Sequence, residues 1–166
     1  MKKNDSRYFK WKHSVKLICL ITIFAACYNT SFAQSVTADQ DLTFGTFCPS
    51  GTSGGTVTID EFGNRTSSGN VILFSSTFSE AIFTFSAGKR NRTVYNITTN
   101  SPRTLSRVGG GGTMKLTLGT PNPTNFYVRK NQTKSFSIGG TLTVGSITAN
   151  PGGDYTGTFA LTFNYY

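Results

Sequence analysis

Through most of this chain apolar and polar residues alternate at period two, as in Leu42-Thr43-Phe44, Thr56-Val57-Thr58-Ile59 and Thr113-Met114-Lys115-Leu116-Thr117-Leu118. A pleated strand sends successive side chains to opposite faces, so this rhythm predicts strands with one buried and one wet face. Threonine and serine fill most of the polar positions, and they suit a pleated surface. No stretch shows the helical period. The pattern predicts strands at 42–47, 56–60, 69–74, 81–86, 93–98, 113–118, 135–138, 141–144 and 155–165, with Phe44, Val57, Ile59, Phe85, Tyr95 and Leu116 among the inward side chains. Ser50–Gly55, Glu61–Asn64, Gly88–Arg92, Gly109–Gly112, Pro121–Pro123 and Asn150–Gly153 supply turn chemistry between them. Many short strands at close spacing predict an all-β fold: a single antiparallel β-sandwich of immunoglobulin-like or pilin-like type.

The N-terminus departs from this pattern. Lys2, Lys3, Arg7, Lys10, Lys12 and Lys16 precede an apolar run from Leu17 to Ala26, and Ser31-Phe32-Ala33 follows with small residues at both ends. A basic segment, a short apolar core and a small-x-small site describe a cleavable signal peptide. The run is too short for the roughly twenty residues of a membrane-spanning helix. The expected organisation is a signal peptide over residues 1–33 and a β-sandwich domain over 34–166, exported to the periplasm, cell surface or extracellular space. A lipobox-like reading of Phe24-Ala25-Ala26-Cys27 leaves lipid anchoring at Cys27 as a minor alternative.

Cleavage before Gln34 changes the charge. The chain holds sixteen basic and seven acidic residues, for a net +9. Six bases and one acid leave with the leader, so ten bases and six acids remain, a net +4. The basic balance is then largely a targeting signal, and a nucleic-acid partner is not expected. His13, the only histidine, leaves too, as do Cys19 and Cys27. Without histidine the familiar serine or cysteine nucleophile with an imidazole base is excluded, and so are the common zinc sites. Cys48 alone cannot form an intrachain disulfide.

The remaining chemistry is sparse. Asp39, Asp41, Asp60, Glu61, Glu80 and Asp154 lie mostly near turns or strand ends, where solvated acids are ordinary, so no catalytic pair, metal site or cofactor site is assigned and the protein is not expected to be an enzyme. Gly109–Gly112 leads into a strand and lacks the Lys-Ser/Thr of a phosphate loop, which makes it a turn. Lys89, Arg90 and Arg92 form a solvated hairpin tip, with contact to an anionic surface polysaccharide as the functional alternative. An outer-membrane barrel is the structural rival; its strands take roughly ten residues per crossing, longer than most predicted here.

Leu42-Thr43-Phe44-Gly45-Thr46-Phe47-Cys48, Gly54-Gly55-Thr56-Val57-Thr58-Ile59, Gly139-Gly140-Thr141-Leu142-Thr143-Val144-Gly145 and Gly152-Gly153-Asp154-Tyr155-Thr156-Gly157-Thr158-Phe159 together resemble the secreted bacterial family called domain of unknown function 4402. That family is distantly similar to spore-coat-U-type and chaperone-usher pilin subunits, whose last strand carries alternating apolar residues, a penultimate aromatic and a glycine fourteen residues from the end. Phe159, Leu161, Phe163, Tyr165 and Gly153 occupy those places here. The resemblance implies β-augmentation, in which a neighbour's extended segment fills an open groove. The candidate donor is 34–42, with Val36, Ala38 and Leu42 in phase. The expected function is an exported structural or adhesive surface protein, fimbrial-subunit-like, that pairs strands with copies of itself or related subunits. The alternative is a monomeric secreted binding module for a glycan or protein partner, using the loops around Lys89–Arg92 and Phe126-Tyr127.

Overall fold

Fourteen strands, joined by turns and no helix among the described residues, make up the structure, a computed structural model that describes residues 33–166. The signal peptide read at the N-terminus and the alternative anchor at Cys27 fall outside the described residues. The strands are β1 Ser35–Gln40, β2 Phe47–Pro49, β3 Gly55–Ile59, β4 Arg65–Gly69, β5 Val71–Leu73, β6 Ala81–Ser86 and β7 Arg92–Thr99. After them come β8 Arg103–Arg107, β9 Thr113–Leu118, β10 Phe126–Val128, β11 Thr133–Ile138, β12 Gly140–Val144, β13 Tyr155–Thr156 and β14 Leu161–Tyr165. No helix among the described residues is long and apolar enough to cross a membrane.

All pairings are antiparallel, and they form four sheets. The largest runs β13-β8-β9-β12-β3-β4; two three-stranded sheets run β1-β6-β11 and β10-β7-β14; β2 and β5 form a short ribbon. None of these orders closes on itself, so every sheet keeps two edges. The alternation in β9 shows why the large sheet has one wet face: Met114, Leu116 and Leu118 are buried while Thr113, Lys115 and Thr117 are exposed. From β3 and β12, Val57, Ile59, Leu142 and Val144 join that inner face. Phe85, Phe136, Val94, Ile97, Phe126 and Val128 meet it from the three-stranded sheets in one continuous cluster, giving the sandwich its core. Burying each such side chain is worth about 1.5–3 kcal/mol.

Two hairpins show local sequence chemistry at work. Between β3 and β4, both carboxylate oxygens of Asp60 accept bonds from its own turn: Phe62 N at 2.9 Å, Asn64 N at 2.8 Å and Asn64 Nδ2 at 2.8 Å. Between β8 and β9, Gly109, Gly110 and Gly111 all have φ near +86°, a left-handed path that only glycine follows without strain. The run is the turn that the sequence predicts.

Several expectations change. The strand expected over 42–47 is instead a loop touching Ser79 through Thr43, with pairing deferred to β2. The strand expected over 69–74 shrinks to β5, with Gly69 instead ending β4, a strand the pattern does not predict, and the long final strand breaks into β13 and β14. Strands β1, β8 and β10 were not among those predicted. Tyr95, expected to point inward, is exposed. Val94 and Ile97 are the buried residues of β7, and the register slips opposite them between Asn164 and Tyr165. A bulge lets two consecutive side chains, Tyr95 and Asn96, face solvent, and strict period-two counting cannot anticipate that.

Candidate functional site: an open edge between the first and last strands

β1 pairs only with β6, and β14 only with β7. Across β1 and β6, Val36 stands opposite Phe85 and Ala38 opposite Phe83. Directly opposed residues share a face, so Val36 and Ala38 lie on the core side of their sheet. Yet Val36 keeps 40% of its surface exposed, and Ala38 is exposed too, because no strand covers this margin.

β14 supplies the other bank. Leu161, Phe163 and Tyr165, with Phe159 just before the strand, pack on the core but stay only half-buried. Their rings meet those of the β1-β6-β11 sheet: Phe159 lies edge-on to Phe83 at 6.1 Å, and Phe163 lies 5.9 Å from Phe85 and 5.5 Å from Phe136. Tyr165 lies 6.2 Å from Phe85. Such pairs contribute about 0.5–1.5 kcal/mol each beyond burial. Thr93 and Tyr166 exchange both backbone bonds, at 3.1 and 3.2 Å, and Asn100 N donates to Ala160 O at 3.3 Å. Antiparallel ladders alternate, so Leu161 and Phe163 turn their N–H and C=O groups away from β7, toward the unpaired margin. Apolar side chains and unsatisfied ladder groups thus share one edge, which is the chemistry an added strand requires.

One end of this edge is clamped. Arg92, at the start of β7, donates to Gln34 Oε1 at 3.1 Å, and its guanidinium lies 5.3 Å from the centre of the Tyr165 ring. Gln34 Nε2 in turn donates to the Tyr165 hydroxyl. The residue just before β1 is therefore tied to β7 and β14. Nothing in the sequence signals this contact, because the three residues lie far apart along the chain.

Of the predicted strand-pairing residues, Val36, Ala38, Phe159, Leu161, Phe163 and Tyr165 come together here. Leu42 and Gly153 do not; both line a cavity of 520 Å³ whose wall also includes Phe47, Cys48, Met114 and Tyr155. At Gly153, φ is +144°, and a Cβ would sit 2.6 Å from Arg107 Nε, so a side chain there would displace the arginine that donates to Gly152 O at 2.8 Å. Local packing thus accounts for this glycine. Cys48 is half-buried, with Sγ 3.3 Å from Pro49 O. No group of three or more His, Cys, Asp or Glu side chains that could hold a metal stands together among the described residues.

Fold and edge together define an all-β, sandwich-like domain of antiparallel sheets with an apolar, unpaired margin. The sequence profile of the family described as "Domain of unknown function (DUF4402)" matches residues 35–165. The chain belongs to that family. No curated protein and no solved structure gives a significant match.

Proposed function

We propose that the protein is an exported surface subunit, fimbrial-like or adhesive, that associates with copies of itself or related subunits by adding a strand at the edge between β1 and β14. The observation that carries this reading is the half-exposure of inward-facing side chains on both banks, Val36 and Ala38 on one and Leu161, Phe163 and Tyr165 on the other. A finished sandwich would bury that surface, and an incoming extended segment would cover it with alternate side chains while pairing with the free N–H and C=O groups of Leu161 and Phe163. The donor segment favoured by sequence is 34–42. In the isolated chain its 35–40 stretch pairs with its own β6, so assembly means exchanging that pairing between subunits, or seating a related subunit's segment alongside it.

The test is a denaturing gel of material sheared from the surface of the source cell, with and without boiling. A ladder that collapses to one band on boiling is expected, and deletion of 34–41 should abolish it. One monomer band in both lanes overturns assembly and favours the self-contained binding module, a reading that the pairing of β1 within its own sandwich supports.

A further inference from the structure

The outer face of the β10-β7-β14 sheet, turned away from the core, carries three large exposed aromatics. Tyr95 is 57%, Tyr127 55% and Tyr166 75% exposed. Tyr127 stands opposite Thr93 from β10, and Tyr166 exchanges backbone bonds with Thr93 from the β14 side, so the two tyrosines flank one residue of β7. Two strand spacings separate them by about 10 Å. The Tyr95 and Tyr166 rings lie 6.0 Å apart at 31°. Asn96 opposite Asn164 and Thr98 opposite Thr162 continue the same face with neutral amides and hydroxyls.

At one end of this face two loops carry its charge. Asn131 N donates to Gly88 O at 2.6 Å, Ala87 N to Gln132 O at 3.2 Å, and Lys130 N to Asn91 Oδ1 at 2.9 Å, so the loop before β7 is tied to the loop after β10. Lys89 and Arg90 from one loop and Arg129 and Lys130 from the other are all exposed there. They are four of the ten cations from Gln34 onward, and no acid lies between residues 81 and 153. Sequence alone names the loops around Lys89–Arg92 and Phe126-Tyr127; the hydrogen bonds between the loops add Arg129 and Lys130.

We infer that this face binds a polysaccharide bearing spaced acidic groups, the tyrosines stacking on sugar rings and the two loops taking the carboxylates or sulfates. An aromatic ring is negative on its face, so the weakly positive C–H groups of a pyranose settle on it, while Asn and Thr side chains meet sugar hydroxyls. A nucleic acid would need cations all along its densely charged backbone, whereas here positive charge sits at one end and the aromatic face is neutral. A polymer with neutral stretches between acidic groups matches that division. The site lies on the face of β14, not on its unpaired edge, so the inference stands apart from strand addition.

The experiment titrates the protein as the source cell produces it with labelled hyaluronan, in which acidic and neutral sugars alternate, with neutral dextran and with single-stranded DNA, at two salt concentrations. Hyaluronan is expected to bind most tightly, dextran about tenfold more weakly, and DNA no better than dextran. Tyr95→Ala with Tyr127→Ala should lower hyaluronan affinity about tenfold, the scale of losing stacking contacts. Arg90→Ala with Lys130→Ala should lower hyaluronan affinity and flatten its salt dependence while leaving dextran binding unchanged. All four side chains are exposed, so the variants keep the core, and an unchanged thermal midpoint checks this. Absence of hyaluronan binding, hyaluronan binding indifferent to the tyrosine pair, or tighter binding of DNA each overturns the inference.

Discussion

Phe85 is almost wholly buried and touches the rings of Phe126, Phe163 and Tyr165, so one side chain joins three strands. Phe85→Ala removes its transfer energy and leaves a void that fixed strands cannot close. We expect a loss of about 3–5 kcal/mol, read as a lower urea midpoint. Asp60 makes a prediction of another kind. The side-chain bond from Asn64 comes first in holding its carboxyl below its ordinary value of 3.8, and backbone bonds from Asn64 and Phe62 add to it. A carboxyl whose folded pKa is depressed stabilises the fold above its unfolded pKa, and that contribution is lost as pH falls through the folded value. The stability gap between wild type and Asp60→Asn should therefore be constant at neutral pH and shrink below 3.8, measured by denaturant unfolding across pH. The turn around Asp60 was legible from Glu61-Phe62-Gly63-Asn64, because turn chemistry is local. The Arg92 clamp on Gln34 and Tyr165 was not, because its partners meet only once the sheets have packed.

Among the elements, β1 is an exposed edge strand. It sits at a sheet margin, its residues up to Asp39 are exposed, and its register shifts between Ala38 and Gln40. Gln40 Nε2 holds the far end through Glu80 O at 2.8 Å, and the Arg92–Gln34 contact holds the near end. Arg92→Ala should release the near end first. Hydrogen exchange of the 35–38 amides is expected to quicken about tenfold or more, with β9 and β12 unchanged, since edge elements open locally without global unfolding. Equal acceleration throughout would show that the clamp supports the whole fold instead. Pattern reading found the strands whose alternation is strict, such as β9 and β12. It missed β8 and β10, where Arg103–Arg107 holds a single apolar residue and Phe126–Val128 is only three residues long.

For the molecule as a whole, β14 presents two distinct surfaces. Its unpaired edge offers ladder groups and half-buried rings, while its outer face presents Tyr166 beside Tyr95. In the proposed assembly, strand addition would occupy the edge and leave the tyrosines clear, so an assembled subunit could still hold saccharide and repetition would multiply weak contacts. Loss of the heat-sensitive ladder and loss of hyaluronan binding are thus independent outcomes.

By itself, the sequence determined that the fold is all-β, where most turns fall, that no histidine lies beyond His13, and which alternate residues of the last strand face inward. These follow from local rules: strand period, turn propensity and residue inventory. Only the tertiary structure decided which strands are edges, that 35–40 pairs with β6, that a bulge turns Tyr95 outward beside Tyr166, and that the loops carrying Arg90 and Lys130 meet. Each of these depends on strand neighbours distant in sequence, and alternation within a strand carries no record of which strand lies beside it.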